Sequence, residues 1–317
     1  MVNDHETGYK DLFHDPELVQ QLIEGFAPPS VAALMDFTTL SDQGGNAITP
    51  LFNEWFEGKV WFVAVSQDGV ERPLCVYLLL EFQSTVDHQL PFRLLDHVTY
   101  LDAHLIKTRL TTPDRGLPPI FPVVLYNGSK RWTAQHDIGS MIGSELPAFL
   151  RVGQLQLRCH LVDVSAFSDA KLAARNTLLS GVFAVENASK DLDALQVAVE
   201  RLAENIREYP EKMHLDPVMT HWFKRQFERL GPEAGQALEG FDSLMEDHAM
   251  LAENLQGWAE KERQKGRLEG RQEGCQEALR LATMNLLKLG LLTDEQIADS
   301  TGLSLAEVGV LQLERSD

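Results

Sequence analysis

The chain has 317 residues, with 47 acidic side chains against 28 Lys and Arg and a formal net charge of −19. That length accommodates one large domain with an appendage, or two domains, and the charge argues against a generic polyanion-binding surface. No run of about 18 apolar residues is present, the first six residues lack the basic and apolar regions of a leader, and Cys75, Cys159 and Cys275 fit neither a disulfide framework nor a zinc site, so a reducing cytoplasm and no membrane are expected.

The first predicted element is a helix over 16–25, with Asp15 as N-cap, Pro16 at its first position and Gly25 at its end. Leu18, Val19, Leu22 and Ile23 follow helical spacing, and Glu17 in the first turn interacts favourably with the helix N-terminus. Two strands follow, Val60–Ser66 and Leu74–Phe82, with Gln67-Asp68-Gly69 as a hairpin turn between them. His88–Lys107 reads as a helix, with Pro91 in its first turn and Leu94, Leu95, Val98, Leu101 and Leu105 near one face. Ile120–Tyr126 is an apolar strand closed by Asn127-Gly128, and Gln154–Val164 is a further strand. This order fits an α/β core whose crossover helix returns to the same sheet.

Residues 168–255 read as helical throughout: Asp169–Glu186 with Ser168 as N-cap, Leu192–Tyr209, Val218–Leu230 and Ala234–His248, with Pro210 and Pro217 as breaks. Trp222 and Phe223 are read as packing residues. Between Lys265 and Gly274 glycine recurs every four residues among charges, which costs helix stability and reads as a mobile connector or a marginal helix. Beyond it, Glu277–Leu289 is a helix ending at Gly290. Thr293 with Gln296, and Ser304 with Glu307, are capping boxes that start two more helices. That unit has a helix-turn-helix arrangement, but Glu307 and Glu314 on its second helix favour packing or oligomerisation over base reading. The resulting division is an α/β core over 1–167, a helical subdomain over 168–256, a glycine-periodic stretch over 257–276 and a small helical unit over 277–317.

The segment of greatest chemical interest is Cys75-Val-Tyr-Leu-Leu-Leu-Glu-Phe-Gln-Ser84. An apolar run this short reads as a strand buried on both faces. Side chains alternate along a strand, so Glu81 and Gln83 project to the same side. Two such oxygen-bearing side chains can hold a hard cation such as Mg²⁺; the alternative is that they mark the strand leaving the core.

Around that segment lie His14-Asp15-Pro16-Glu17-Leu18-Val19, Leu34–Leu40, Val60-Trp61-Phe62-Val63, Phe92-Arg93-Leu94-Leu95, Leu117–Gly128 and Arg131-Trp132-Thr133. This ordered series resembles the bacterial Rpn family of recombination-promoting nucleases, also called YhgA-like putative transposases, over roughly residues 5–185. The resemblance implies a PD-(D/E)XK restriction-endonuclease-like mixed sheet core with a helical C-terminal extension. It implies divalent-metal-dependent DNA cleavage, in which a strand Asp and a Glu-x-Lys or Glu-x-Gln pair hold Mg²⁺, Mn²⁺ or Ca²⁺. Carried onto this chain, Glu81 is a metal ligand and Gln83 takes the place of the usual lysine.

One position departs from the pattern. Aligning Trp61 and Glu81 with the family puts the metal-binding Asp at 58, where this chain has Gly58. Glu57 is adjacent, but a one-residue step along a strand points to the opposite face, so it enters the site only if a bulge re-aims it. The expected function is therefore a DNA endonuclease-like protein linked to DNA breakage and recombination and impaired at its centre, with Glu81, Gln83 and Glu57 as catalytic candidates and Glu81 and Glu57 as metal candidates. The alternative is a non-catalytic relative that binds nucleic acid or protein. DNA contact would need local basic clusters, for which Lys107 with Arg109, Lys130 with Arg131, and the basic residues between Lys261 and Arg271 are candidates. The C-terminal helical region is the candidate for homo-oligomer formation.

Overall fold

Five strands form one sheet in the order β1 (Met35–Asp42), β2 (Lys59–Val65), β3 (Leu74–Gln83), β4 (Ile120–Tyr126), β5 (His160–Asp163). β2 runs antiparallel to both its neighbours, β1 and β3, and β3, β4 and β5 run parallel. The computed structural model describes residues 4–43, 58–66, 74–111, 116–142, 147–189, 191–208, 210–238 and 240–314. The predicted turn at Gln67-Asp68-Gly69 lies outside them.

Helices cover the two faces of the sheet. On one face α3 (Leu90–Lys107), the crossover from β3 to β4, sets Leu90, Leu94, Leu101 and Leu105 against Val60, Tyr77, Leu79 and Val124. Its apolar positions recur every three or four residues, which turns a single stripe toward the strands. On the other face, Tyr9 and Phe13 of α1 (Asp4–Leu12) and the turn after it stack on Phe82 of β3, with ring centroids 5.8 and 5.6 Å away. Trp61 donates its indole N–H to the carbonyl of Phe13 at 3.1 Å. Helix α2 (Pro16–Phe26) starts where the sequence predicts: the Asp15 side chain accepts from the amide of Glu17 at 2.9 Å.

The expected α/β class with a helical extension is what the molecule has, with several changes of detail. Strand β1 was not predicted. It is an edge strand with a register shift between Asp36 and Ser41, where Thr39 Oγ1 accepts from the amide of Ala64 at 2.8 Å. The strand expected over Gln154–Val164 shrinks to β5. Residues before it form a short helix, Ala148–Val152, and a lone bridge between Arg158 and Asp137.

The helix expected over Asp169–Glu186 is two helices, α4 (Asp169–Arg175) and α5 (Leu178–Ala188), broken at left-handed Asn176 (φ 50°). Ser168 makes no side-chain cap there, whereas Thr177 makes a full capping box for α5. α6 (Leu192–Glu208) and α7 (Asp216–Glu228) follow. Pro217 sits in the first turn of α7, where its missing N–H costs nothing, so it starts that helix instead of breaking one. Ala234–His248 is not one helix: a short helix over Pro232–Ala237 ends near Leu238, and Asp242–Asp247 is a turn. Trp222 and Phe223 are fully buried, as packing residues are.

The chain divides into two compact units, Met1–Asn254 and Leu255–Asp317. Residues 257–276 are helical, within α8 (His248–Leu289), which spans 42 residues. In the second unit Leu287 of α8 packs with Ile297 and Ala298 of α9 (Asp294–Thr301) and Val308 and Leu311 of α10 (Leu305–Glu314). Both predicted capping boxes form, Thr293 with Gln296 and Ser304 with Glu307. Among the described residues no helix is long and apolar enough to cross a membrane.

Candidate functional site

Strand β3 delivers Glu81 and Gln83 to the face covered by α3, because they continue the alternation of Tyr77 and Leu79. In the antiparallel register Val60 faces Leu79 and Lys59 faces Leu80. One further step sets Gly58 opposite Glu81. The position at which the resemblance calls for a carboxylate is thus across from the glutamate, on the same face, and holds a buried residue with no side chain. Glu57 lies outside the described residues.

Glu81 is 5% exposed through its side chain and is held by cationic and donor groups. Arg93, on the first turn of α3, brings Nε to 3.2 Å and Nη2 to 3.0 Å from Oε1. The Gln83 amide donates to the same oxygen at 3.3 Å and to the carbonyl of Phe82 at 2.7 Å. His97 Nδ1 is 3.5 Å from Oε2. Arg93 also reaches out of the core: its Nη1 is 2.7 Å from Asp87, whose other oxygen accepts from the amide of Gln89 at 2.8 Å and so shapes the turn into α3. The site is therefore a chain of charges, Glu81–Arg93–Asp87, with His97 closing its buried end. Arg93 and His97 are one helical turn apart and reach the same carboxylate for that reason.

Among the described residues this arrangement does not supply the ligand set of a divalent metal. Mg²⁺ needs several oxygen ligands in near-octahedral geometry. Oε1 already faces three donor nitrogens, and the nearest permanent charge is positive. Among the described residues no group of three or more His, Cys, Asp and Glu could hold a metal ion. Gln83 is turned inward, its amide spent on Glu81 and the backbone, and does not present a donor toward a phosphate.

Glu17, Cys159 and His160 make structural contacts. Glu17 accepts from Gln21 of its own helix at 2.8 Å, while Gln21 Oε1 accepts from the amide of Leu179. Cys159 and His160 point to opposite sides, Cys159 into the α3-side core and His160 against Phe121 and the carbonyl of Phe26. Burial pushes the Cys159 thiol up to about 12, which removes it as a nucleophile. Lys107, Arg109, Lys130, Arg131 and the arginines and lysines of α8 between 261 and 271 are not buried.

Two clusters were not found from the sequence. Lys59, 4% exposed, places its ammonium 3.0 Å from Asp42 and 2.6 Å from His14 Nδ1, on the face opposite Glu81. Burial lowers its pKa, against the pull of Asp42. The second is Arg93, inside the string Phe92-Arg93-Leu94-Leu95, with His97 on the same helix. Their spacing of four residues, with Arg93 twelve residues after Glu81, was the available signal.

A family model described as putative transposase, YhgA-like, matches residues 3–214. No solved structure matches the chain.

Proposed function

Because the chain belongs to the family of YhgA-like putative transposases, we propose that it is a DNA-directed protein built on an Rpn-type nuclease core, with metal-dependent cleavage weak or lost. One observation carries this reading: Gly58 stands where the second acid should, opposite Glu81, and the remaining carboxylate is engaged by Arg93. Mg²⁺ sites built on only one or two carboxylates lose most of their affinity when one is removed. The core then serves to engage DNA, with a protein partner as the alternative, through local basic clusters on a molecule whose net charge is −19. Its proposed setting is the cytoplasm, which fits the unbridged thiols of Cys159 and Cys275. Self-association through α8 is also part of the proposal, and sedimentation of the full chain over a range of concentrations tests it.

Cleavage is tested on supercoiled plasmid with Mg²⁺, Mn²⁺ or Ca²⁺, alongside a binding measurement on the same DNA. The expected result is retained binding with nicking no faster than for Glu81→Ala. Metal-dependent nicking abolished by Glu81→Ala and by Glu57→Ala would instead establish a working centre with a relocated acid.

A further inference from the structure

We propose that Arg93 is the resident cation of the Glu81 centre, its guanidinium holding the place beside the carboxylate that a divalent ion would need. This rests on the reading above that residue 58 no longer serves a metal, and it names what serves in the metal's stead.

A carboxylate as buried as Glu81 is costly without a counter-charge. Arginine is the side chain that keeps its charge at every relevant pH and presents a planar fork of donors. Here two of those donors face Oε1, at 3.2 and 3.0 Å, and a third is fixed 2.7 Å from Asp87. The fork is thus gripped at both ends. Its backbone is equally fixed, since Leu90 and Leu94 on either side of it are buried against the sheet. An ion approaching Oε1 would have to displace the Arg93 Nε and Gln83 amide donors and meet Arg93 Nη2 at 3.0 Å; Oε2 accepts no hydrogen bond among the described residues, with His97 Nδ1 3.5 Å away.

In the core Glu81 is matched one to one by Arg93, and the outer Asp87 leaves the trio with one net negative charge. Gly58 contributes no charge, and His97 sits at the buried end. Restoring an acid at 58 would add a negative charge opposite Glu81, whose Oε1 the guanidinium and the Gln83 amide already engage. Gly58 and Arg93 therefore act together, and metal binding requires a change at Arg93 as well as an acid.

The test is thermal unfolding of the full chain in EDTA and in Mg²⁺ or Mn²⁺, which needs no turnover. The native protein is expected to melt at the same temperature in both. Arg93→Glu puts a second acid beside Glu81; it should melt on the order of 5–10 °C lower in EDTA and recover with Mn²⁺. That recovery should vanish in Arg93→Glu/Glu81→Gln. Where Arg93→Glu does not fold, Arg93→Gln/Gly58→Asp should show a metal-dependent rise that Gly58→Asp alone lacks. A Mn²⁺-dependent rise in the native protein that is lost in Glu81→Gln would overturn the proposal, as would a full rise in Gly58→Asp alone. Nicking of DNA that persists in EDTA would instead sink the functional reading and leave the role of Arg93 standing.

Discussion

Tyr9 and Glu186, 177 residues apart, share a hydrogen bond in which the phenol donates to Oε2 of the carboxylate. The other oxygen of Glu186 accepts from Asn127, just past β4, at 3.2 Å and from Gln226 of α7 at 2.9 Å. One side chain on α5 thereby fastens the first helix, the end of a central strand and a helix of the C-terminal extension. Burial raises the Glu186 carboxyl to about 7 and pushes the Tyr9 phenol up as well.

A pH dependence follows. Since the folded-state value lies above the unfolded one, Glu186 contributes stability that is complete below about pH 4.5 and is lost as pH rises through about 7. Glu186→Gln keeps one acceptor oxygen and cannot ionise. Relative to the native protein it should therefore gain stability between pH 5 and pH 8, by at most about 3 kcal/mol. Urea unfolding of both proteins across that range checks it; two parallel stability–pH curves would show that Glu186 is not the group responsible.

Lys59 permits a different comparison. Its ammonium is buried and relies on Asp42. Removing one partner of a buried pair leaves the other uncompensated, whereas replacing the buried charge by an apolar chain of like length is often neutral. Asp42→Ala should thus cost roughly 1–3 kcal/mol and Lys59→Met less than 1 kcal/mol. Equal losses in chemical denaturation would mean that the pair itself, and not the stranded charge, carries the energy.

The legible parts of the fold were those fixed by local chemistry. Ile120–Tyr126 has the predicted bounds because an apolar run meets Asn127-Gly128, and the caps at Asp15, Thr293 and Ser304 depend only on residues two or three positions away. β1 was missed because its pairing with β2 is interrupted between Asp36 and Ser41, so its burial does not follow a simple core alternation. The split between α4 and α5 depends on one left-handed residue, Asn176, in an otherwise helical pattern. At the centre, Glu81 and Gln83 could be assigned to one face from strand alternation alone. That Arg93 answers Glu81 is a tertiary fact: it needs the turn at Asp87–Gln89 and the angle at which α3 crosses the sheet.

Gly128 is a site where a small change should be felt. A Cβ there would lie 2.2–2.5 Å from the ring and hydroxyl of Tyr126, which is 1% exposed and donates to the carbonyl of Lys130. A buried ring with a satisfied hydroxyl has little room to yield, so Gly128→Ala should destabilise by about 1–3 kcal/mol. It should also disturb Asn127 and its bond to Glu186, which holds that carboxyl's pKa down, and so steepen the pH dependence described above. An unchanged melting temperature would show that the loop moves freely instead of the ring.

Glycines within helices should respond in opposite directions according to what faces them. At Gly181 of α5 a Cβ would stand 2.8 Å from Cδ1 of Leu202, itself fully buried on α6. The helix-propensity gain of alanine, up to about 1 kcal/mol, is there outweighed by an overpacking cost of about 1–3 kcal/mol, so Gly181→Ala should be neutral to destabilising. At Gly266, Gly270 and Gly274 of α8 nothing lies within 4 Å of the added carbon, and only the propensity term remains. Each substitution to alanine should stabilise the helix by roughly 0.5–1 kcal/mol, and the triple variant should show greater helicity by circular dichroism on heating. If the glycine face is instead covered by a second chain packed closely on it, the same triple variant should lose that association, and sedimentation would separate the two outcomes.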